Sequence, residues 1–411
     1  MTSREKLAAL CREQLAALES QGRRKGREQV ATAIIPPANG RGPRVLLAGQ
    51  GEREFLRMNS NSYLGLSLHP KVIQAAARAA EQFGAGPGAV RFISGTCAPH
   101  VALEERLARF HGREAAMLFS AAYAAVVGIL PQLLSPETVV ISDALNHNCI
   151  INAIRLAKPL AKAIYPHLDL GELEKQLAAH RGRAKRAVVV TDGIFSMRGD
   201  HAPLAAIAAL CEQYQNEYAE GVLLVVDDSH GVGAFGPTGR GTEEYAGGRA
   251  DLLVATLGKA LGVNGGYVAA DGAVIELLRE TASLYVYSNP LTPVESAAAL
   301  AALDILDSEE GLDLLATLRS NTARFRSGLR VLGYETIAGD HPIVPLLVRD
   351  TQKTAAMVHR LFERNILATG LNYPIVPKGE EEIRFQLSAS HTEGDIDYVL
   401  EVLGEEGDKG R

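Results

Sequence analysis

The sequence predicts an α/β fold in which a large domain with a mostly parallel sheet precedes a smaller α+β domain. Apolar runs at 138–142, 187–191 and 221–227 are each followed by polar residues. Such continuous apolar runs are typical of strands that are buried on both faces of a parallel sheet. Residues 383–387 instead alternate between apolar and polar side chains, which predicts a half-exposed strand in the smaller domain.

Residues 1–57 are predicted to form an N-terminal helix and a connection into the large domain. Residues 22–51 are rich in Gly, Pro and Arg, which indicates an irregular or hairpin segment. Over residues 4–19 the spacing predicts an amphipathic helix that packs on another surface through Leu7, Leu10, Leu15 and Leu18.

Residues 58–290 are predicted to form the large domain. A polar turn around Asn61 precedes an Ala-rich helix over 72–83, and a Gly-rich loop over 84–96 precedes a helix whose apolar face belongs to the core. That loop lacks the Gly-Lys-Ser/Thr ending of a nucleotide-binding loop. At 118–125 a short strand leads into a helix, so the backbone N–H groups of Ala122 and Tyr123 can bind an anion.

Residues 291–411 are predicted to form the smaller domain, with helices from about 293 to 332 followed by short strands. Within the alternating strand, Arg384 falls on the polar face. A guanidinium is the natural bidentate partner of a carboxylate, although a solvated arginine would show the same pattern.

Lys259 lies at the centre of the predicted chemistry. The strand-like run at 252–255 stops at Thr256, and Lys259 then follows Gly258 in a Gly-rich turn. Close backbone packing around a lysine lowers its pKa, as a lysine that attacks an aldehyde requires.

Asp227 supplies the second half of this chemistry, because it ends the apolar run of 221–227 at the sheet edge where α/β proteins bind ligands. Pyridoxal phosphate needs a lysine for its aldehyde and an acidic partner for its ring nitrogen. Lys259 and Asp227 together therefore predict pyridoxal 5′-phosphate (PLP) as cofactor.

Three motifs carry a resemblance to a known family: Asp227-Asp-Ser-His-Gly, Thr256-Leu-Gly-Lys-Ala and Asp143-Ala-Leu-Asn-His. They resemble the α-oxoamine synthases, PLP enzymes of fold type I (aspartate-aminotransferase-like) that condense an amino acid with an acyl-CoA. The similarity runs from about residue 61 to 392. Residues 372–379 and 383–392 are most similar to the 2-amino-3-ketobutyrate CoA ligase (glycine C-acetyltransferase) branch.

The resemblance implies a role for each matched residue. Lys259, His147 and Asp227 are the implied catalytic residues, and His147 stacks on the pyridine ring. The implied substrate-binding residues are Asn61, His147 and Arg384. The further cofactor-binding residues are Ala122, Tyr123, Ser196, His230, Thr256, Ser288 and Asn289.

The resemblance also implies a homodimer with shared active sites that joins glycine to acetyl-CoA or another short acyl-CoA. One alternative is another reaction on this scaffold: 8-amino-7-oxononanoate, serine palmitoyl or 5-aminolevulinate synthase, or a plain aminotransferase. The other is a non-catalytic stabilising paralogue, which the retained Lys259 and Asp227 argue against. Two segments depart from the nearest relatives: residues 121–122, and the turn at 261–266, which looks one residue shorter. The sequence does not fix the length of the acyl group.

Composition excludes several other classes. A net charge of −6 and a pI of about 6.0 give no basic patch for nucleic acid, and no metal-ligand spacing stands out among the histidines. No apolar run approaches the length of a membrane span, so a cytoplasmic location is expected. The four cysteines predict free, mostly buried thiols: Cys11, Cys97, Cys149 and Cys211.

Overall fold

A computed structural model describes residues 1–21, 23–24, 27–373 and 375–407. The N-terminal segment contains α1 (Ser3–Ser20), β1 (Ala31–Ile35), β2 (Arg44–Leu47) and β3 (Leu56–Arg57). Strands β1 and β2 pair antiparallel, which confirms the hairpin alternative for that segment. Of the residues predicted above, 22, 25–26, 374 and 408–411 lie outside the described residues.

Helix α1 confirms the predicted helix but not its packing. It begins with a capping box in which Thr2 and Glu5 exchange hydrogen bonds. No residue of α1 is buried within the described chain, and Leu7, Leu10 and Leu15 are exposed. The apolar stripe therefore has no covering surface within the part of this single chain that the structure describes.

The large domain alternates helices and strands along the chain. Its first half contains α2 (Pro70–Phe83), α3 (Ala98–Phe110), β4 (Ala115–Phe119), α4 (Ala122–Leu133), β5 (Thr138–Asp143), α5 (Asn148–Leu156) and β6 (Ala161–Tyr165). Its second half contains α6 (Leu170–His180), β7 (Arg186–Asp192), α7 (Leu204–Tyr214), β8 (Val222–Asp227), α8 (Thr242–Ala246), β9 (Leu252–Thr256), β10 (Gly266–Ala270), α9 (Gly272–Thr281) and α10 (Ser283–Val286).

Seven of these strands form one sheet in the order β4-β10-β9-β8-β7-β5-β6. The run from β9 to β6 is parallel, and β10 is antiparallel to both of its neighbours. Strands β5, β7 and β8 are almost completely buried, as their continuous apolar runs predict. The mostly parallel sheet is therefore confirmed, and the carboxyl ends of β5, β7, β8 and β9 meet at one edge.

The C-terminal part begins with two long helices and continues into a small sheet. Its elements are α11 (Pro293–Leu306), α12 (Glu309–Val331), β11 (Glu335–Thr336), β12 (Ile343–Leu347), α13 (Thr351–Glu363), β13 (Ile366–Leu367), β14 (Thr369–Leu371), β15 (Glu382–Gln386) and α14 (Glu393–Gly407). Four strands pair antiparallel in the order β11-β12-β15-β14.

Contacts cross the predicted domain boundaries. Strand β3 pairs in parallel with β13, and α11 packs against α2 and α3 of the large domain. One buried apolar cluster correspondingly contains residues from Leu56 to Leu403. The division at 57/58 and 290/291 stays a prediction.

Strand β15 corrects one expectation. Its alternating residues predicted a half-exposed strand, yet four of its five residues are buried and Arg384 is partly buried. Glu382 and Gln386, on the same face as Arg384, are 3% and 0% exposed. The polar face of β15 is therefore turned into the protein, because Arg384 reaches the large domain instead of solvent.

Candidate active site

A cavity of about 280 Å³ lies at the carboxyl edge of the large sheet. Segments that follow β4, β5, β7, β8 and β9 form its wall, as expected for a parallel sheet. It is lined by Ala121, Ala122, Tyr123, His147, Cys149, Asp192, Ile194, Ser196, Asp227, Ser229, His230, Thr256 and Lys259. The structure thus brings together eight of the residues singled out from the sequence.

Lys259 lies in the tight turn after β9. Its carbonyl accepts a hydrogen bond from the N–H of Gly262, which has a φ of +72°. A Cβ on Gly262 would collide with the backbone of Ser67, so the turn needs glycine there. Burial lowers the pKa of the Lys259 amine to about 8, although the charges of Asp227 and Asp192 oppose this shift. A minor fraction of the amine, about a tenth at pH 7, is therefore neutral and nucleophilic.

Asp227 presents its carboxylate to the cavity from the end of β8. Its Oδ1 accepts hydrogen bonds from the backbone N–H of Ser229, at 3.1 Å, and from the Ser229 hydroxyl. The Cys149 thiol faces its Oδ2 at 3.6 Å. These contacts fix the orientation of the Asp227 carboxylate at the cavity.

Asp192 is a cavity residue that the sequence reasoning missed. It ends β7 directly opposite Asp227 in the parallel register. Its Oδ2 accepts a hydrogen bond of 3.0 Å from the His147 N–H, while its Oδ1 is buried and has no partner among the described residues. Burial, reinforced by the Asp227 charge, raises its pKa. Its position at the end of an apolar run was the available signal.

His147 caps the N-terminus of α5, where its ring accepts the N–H of Cys149 at 3.3 Å. The ring lies edge-on to Tyr123, with the centroids 6.3 Å apart. Burial lowers the pKa of His147, which favours the neutral imidazole; the Lys259 charge acts in the same direction and the Asp227 charge opposes it. A neutral ring over the cavity can stack on an aromatic ligand.

Cys149 is the second residue missed. Its Sγ lies 2.9 Å from His147 Nδ1, and burial raises the pKa of the thiol, so it stays protonated. The prediction that the cysteines are mostly buried is correct for Cys149 and Cys211 and wrong for Cys11, which is exposed. All four are free thiols, as expected.

The N-terminus of α4 lines one end of the cavity. Ala121 is extended and provides no side-chain cap, so among the described residues no side chain occupies the first N–H groups of the helix, beginning at Ala122. A Cβ on Gly266 would collide with Ala122, so the approach of β10 to this helix end requires glycine. Thr256 lies close by, where its hydroxyl accepts the N–H of Gly258 at 3.0 Å.

His230 belongs to a chain of buried polar side chains. Its Nδ1 lies 2.8 Å from the hydroxyl of Tyr63, a third residue missed, which is completely buried. Burial and nearby positive charges, Lys259 first, lower the pKa of His230 and keep the ring neutral. The hydrogen bond with Tyr63 engages Nδ1 and leaves Nε2 for a ligand, while the Tyr63 hydroxyl also donates to Asn61 Oδ1 at 3.5 Å.

Arg384 and Asn61 adjoin the cavity but are not part of its wall. Arg384 Nη1 donates to the Ser196 carbonyl at 2.9 Å, while its Nε is buried without a partner among the described residues. Burial lowers the pKa of this guanidinium, and the Tyr63 and Glu382 side chains oppose the shift. Asn61 accepts a hydrogen bond from Gln386, which is on strand β15 together with Arg384. A buried guanidinium with a free donor suits a carboxylate ligand.

Ser288 and Asn289 do not line the cavity of their own chain. They follow α10 next to Tyr287, which is 80% exposed. Their predicted contact with a neighbouring subunit stays a prediction.

Asp228, of unknown role from the sequence, is a structural residue. Its carboxylate is completely buried and accepts the N–H of Thr242 at 2.7 Å and the Thr242 hydroxyl at 2.6 Å. Burial raises its pKa to about 7. Glycines 193, 231 and 241 approach it closely, so it organises the loops behind the cavity.

Comparison with known proteins identifies this arrangement. The profile of "Aminotransferase class I and II" matches residues 53–403. The chain is 44% identical over 373 residues to 8-amino-7-oxononanoate synthase from Geobacter sulfurreducens, covering 90% of this chain and 92% of that protein. It is 43% identical over 356 residues to human mitochondrial 2-amino-3-ketobutyrate coenzyme A ligase, covering 86% and 83%.

The chain is an α-oxoamine synthase. Its fold matches serine palmitoyltransferase from Sphingomonas wittichii with a TM-score of 0.88 and 28% identity, over 100% of this chain and 99% of that one. A structure described as SPT with PLP matches with a TM-score of 0.87 and 27% identity, over 98% of each chain. As an α-oxoamine synthase of fold type I, the protein is a PLP-dependent transferase.

The cavity of this α-oxoamine synthase fits PLP on its own chemistry. A lysine of lowered pKa suits the aldehyde of PLP, and a fixed carboxylate suits its ring nitrogen. A neutral histidine suits the face of the ring, and an uncapped helix N-terminus suits the phosphate. Within the described residues, no cluster of side chains could hold a metal ion, and none of the helices could cross a membrane.

Proposed function

We propose that this enzyme joins glycine to acetyl-CoA, giving 2-amino-3-oxobutanoate and free CoA. The choice of glycine rests on residues 372–379 and 383–392, which are most similar to the 2-amino-3-ketobutyrate CoA ligase branch, and on the 43% identity to the human ligase over 356 residues.

Each residue of the site has a separate role in this reaction. Arg384 binds the glycine carboxylate through its free Nε, and Asn61 adjoins the same group. Lys259 Nζ, neutral in a useful fraction of molecules, takes the proton from Cα. His147 covers one face of the reacting group, and Asp227 holds the proton on the ring nitrogen. PLP, when bound, supplies the electron sink for the charge left at Cα.

The bond changes balance without a further reactant. Cα of glycine forms a C–C bond to the thioester carbonyl carbon of acetyl-CoA, the C–S bond breaks, and CoA leaves as the thiol. His230 and the Ser196 hydroxyl would hold the phenolic oxygen of the cofactor. Thr256 and the N–H groups of Ala122 and Tyr123 would hold its phosphate.

The choice of acetyl-CoA rests on the same similarity to the human 2-amino-3-ketobutyrate coenzyme A ligase. The 44% identity to the Geobacter protein favours a second candidate, 8-amino-7-oxononanoate synthase, for which we take alanine and pimeloyl-CoA as the substrates. The two candidates differ in both substrates, so one experiment separates them.

That experiment follows deuterium exchange at Cα in D₂O and thiol release. Glycine should exchange faster than alanine or serine, because deprotonation by Lys259 precedes condensation. Acetyl-CoA with glycine should then release thiol faster than longer acyl-CoAs. Faster exchange of alanine together with a preference for pimeloyl-CoA would assign the protein to the oxononanoate synthases, and serine with palmitoyl-CoA would assign it to the sphingolipid branch.

We also propose a homodimer in which Ser288 and Asn289 complete the phosphate site of the partner. Two observations support it: neither residue lines the cavity of its own chain, and the apolar stripe of α1 is uncovered among the described residues. A hybrid dimer of a Lys259→Ala chain and a Ser288→Ala/Asn289→Ala chain should regain one intact site and therefore activity. Hybrids that are no more active than either parent would place both residues in the site of their own chain.

A further inference from the structure

A second cavity, of about 500 Å³, shares no lining residue with the active site. It lies between the loop after β8, helix α8, helix α12 and the loop before β12. Its lining residues are Ala234, Phe235, Gly236, Pro237, Tyr245, Arg319, Thr322, Ala323, Arg326, Gly339 and Asp340. Its volume is within the ~300–1,000 Å³ of small-molecule sites.

One wall of this cavity is aromatic. The rings of Phe235 and Tyr245 are stacked, with centroids 3.8 Å apart and an angle of 26° between the planes. Alanine and glycine residues complete the apolar lining. Flat apolar walls of this kind bury aromatic or branched hydrocarbon groups well.

Two arginines of the lining, Arg326 and Arg319, have no carboxylate in contact among the described residues. Arg326 is only 7% exposed, and its Nη atoms donate to the carbonyls of Ile337, His341 and Ile343. Its Nε is buried without a partner among the described residues. Burial lowers the pKa of this guanidinium to about 10, although the charge of Asp340 opposes the shift.

Arg319 adds a second guanidinium at the cavity. Its Nη1 makes only long contacts, 3.4 and 3.5 Å, with the carbonyls of Gly236 and Pro237. Asp340 is the one acid of the lining, and its Oδ2 accepts a 2.7 Å hydrogen bond from the Tyr245 hydroxyl. Two cations and one anion leave the lining with a net charge of +1, so a monoanion would balance it.

We propose that this cavity is a second binding site, which takes a small organic carboxylate with an apolar, preferably aromatic, body. The carboxylate lies between the two arginines, and the apolar body lies on the Phe235–Tyr245 pair. The site is independent of the reaction assigned above, because none of its residues faces the PLP cavity.

The test uses the PLP-loaded protein and phenylacetate, with phenylacetamide as the uncharged analogue, and measures binding by calorimetry and saturation-transfer NMR. Arg319→Met should weaken phenylacetate binding about tenfold, because it removes one charged hydrogen-bond donor. Ala323→Trp should abolish binding, because it fills the cavity from the exposed face of α12 without removing a core residue.

Two control variants make the result specific. Arg324→Met removes a neighbouring charge of α12 that is paired with Asp397, outside the cavity, and should leave binding unchanged. Arg384→Ala should also leave it unchanged, which excludes binding in the active site. Three results would overturn the proposal: no saturable binding at millimolar phenylacetate, binding that survives Ala323→Trp, or equal affinity for phenylacetamide.

Discussion

The lowered pKa of Lys259 gives a prediction that needs neither substrate nor cofactor. Burial moves the pKa of this amine from 10.5 to about 8. At pH 7 about a tenth of the Lys259 amines would then be neutral, compared with about one in three thousand for an unperturbed lysine. Competitive acetylation of the cofactor-free protein, followed by mass spectrometry, should give a midpoint near pH 8 for Lys259, with the exposed Lys158 as the reference.

Two substitutions test the cause of the shift. The Asp227 charge opposes the shift, so Asp227→Asn should move the Lys259 midpoint below 8, whereas Arg384→Met should raise it. Because the folded chain binds fewer protons at Lys259 than the unfolded chain between pH 8 and 10.5, Lys259 also makes stability rise with pH across that window. A Lys259 midpoint near 10.5, or an increase in Asp227→Asn, would refute the reasoning.

Two further predictions concern residues behind the cavity. Tyr63→Phe removes the hydroxyl that is hydrogen-bonded to His230 Nδ1 and should lower turnover about tenfold with an unchanged circular dichroism spectrum. Unchanged turnover would show that this hydrogen bond does not matter for the reaction. In Asp228→Asn, an amide replaces the carboxylate whose two oxygens accept hydrogen bonds from the Thr242 N–H and hydroxyl, so the free energy of unfolding should fall by about 2 kcal/mol. Asp227→Asn should mainly lower turnover. Equal melting temperatures for Asp228→Asn and wild type would contradict a structural role for Asp228.

Local sequence patterns predicted the large domain well, because burial on both faces leaves a continuous apolar run. The runs predicted at 138–142, 187–191 and 221–227 are strands β5, β7 and β8, and the polar residues at their carboxyl ends meet at one edge. The pattern failed at β15, where alternation was interpreted as exposure to solvent. Period-2 alternation shows that two faces differ but does not show that the polar face meets water.

The missed residues of the site depend on contacts between distant segments. Tyr63 acts on a histidine far along the chain, and its side chain lies in a stretch whose sequence indicates only a turn. Cys149 lies two residues from His147, but its contact with Asp227 exists only once β5 and β8 are in one sheet. The second cavity likewise requires α12 to pack beside the loop after β8, which no local pattern encodes.

The most direct test of the account is to trap the cofactor on the protein. The PLP-loaded enzyme is reduced with borohydride, digested and mapped by mass spectrometry. The account predicts that the phosphopyridoxyl group is on Lys259, since this amine combines a lowered pKa with a place in the cavity beside Asp227 and His147. A label on any other lysine, or retention of the label in Lys259→Ala, would contradict it.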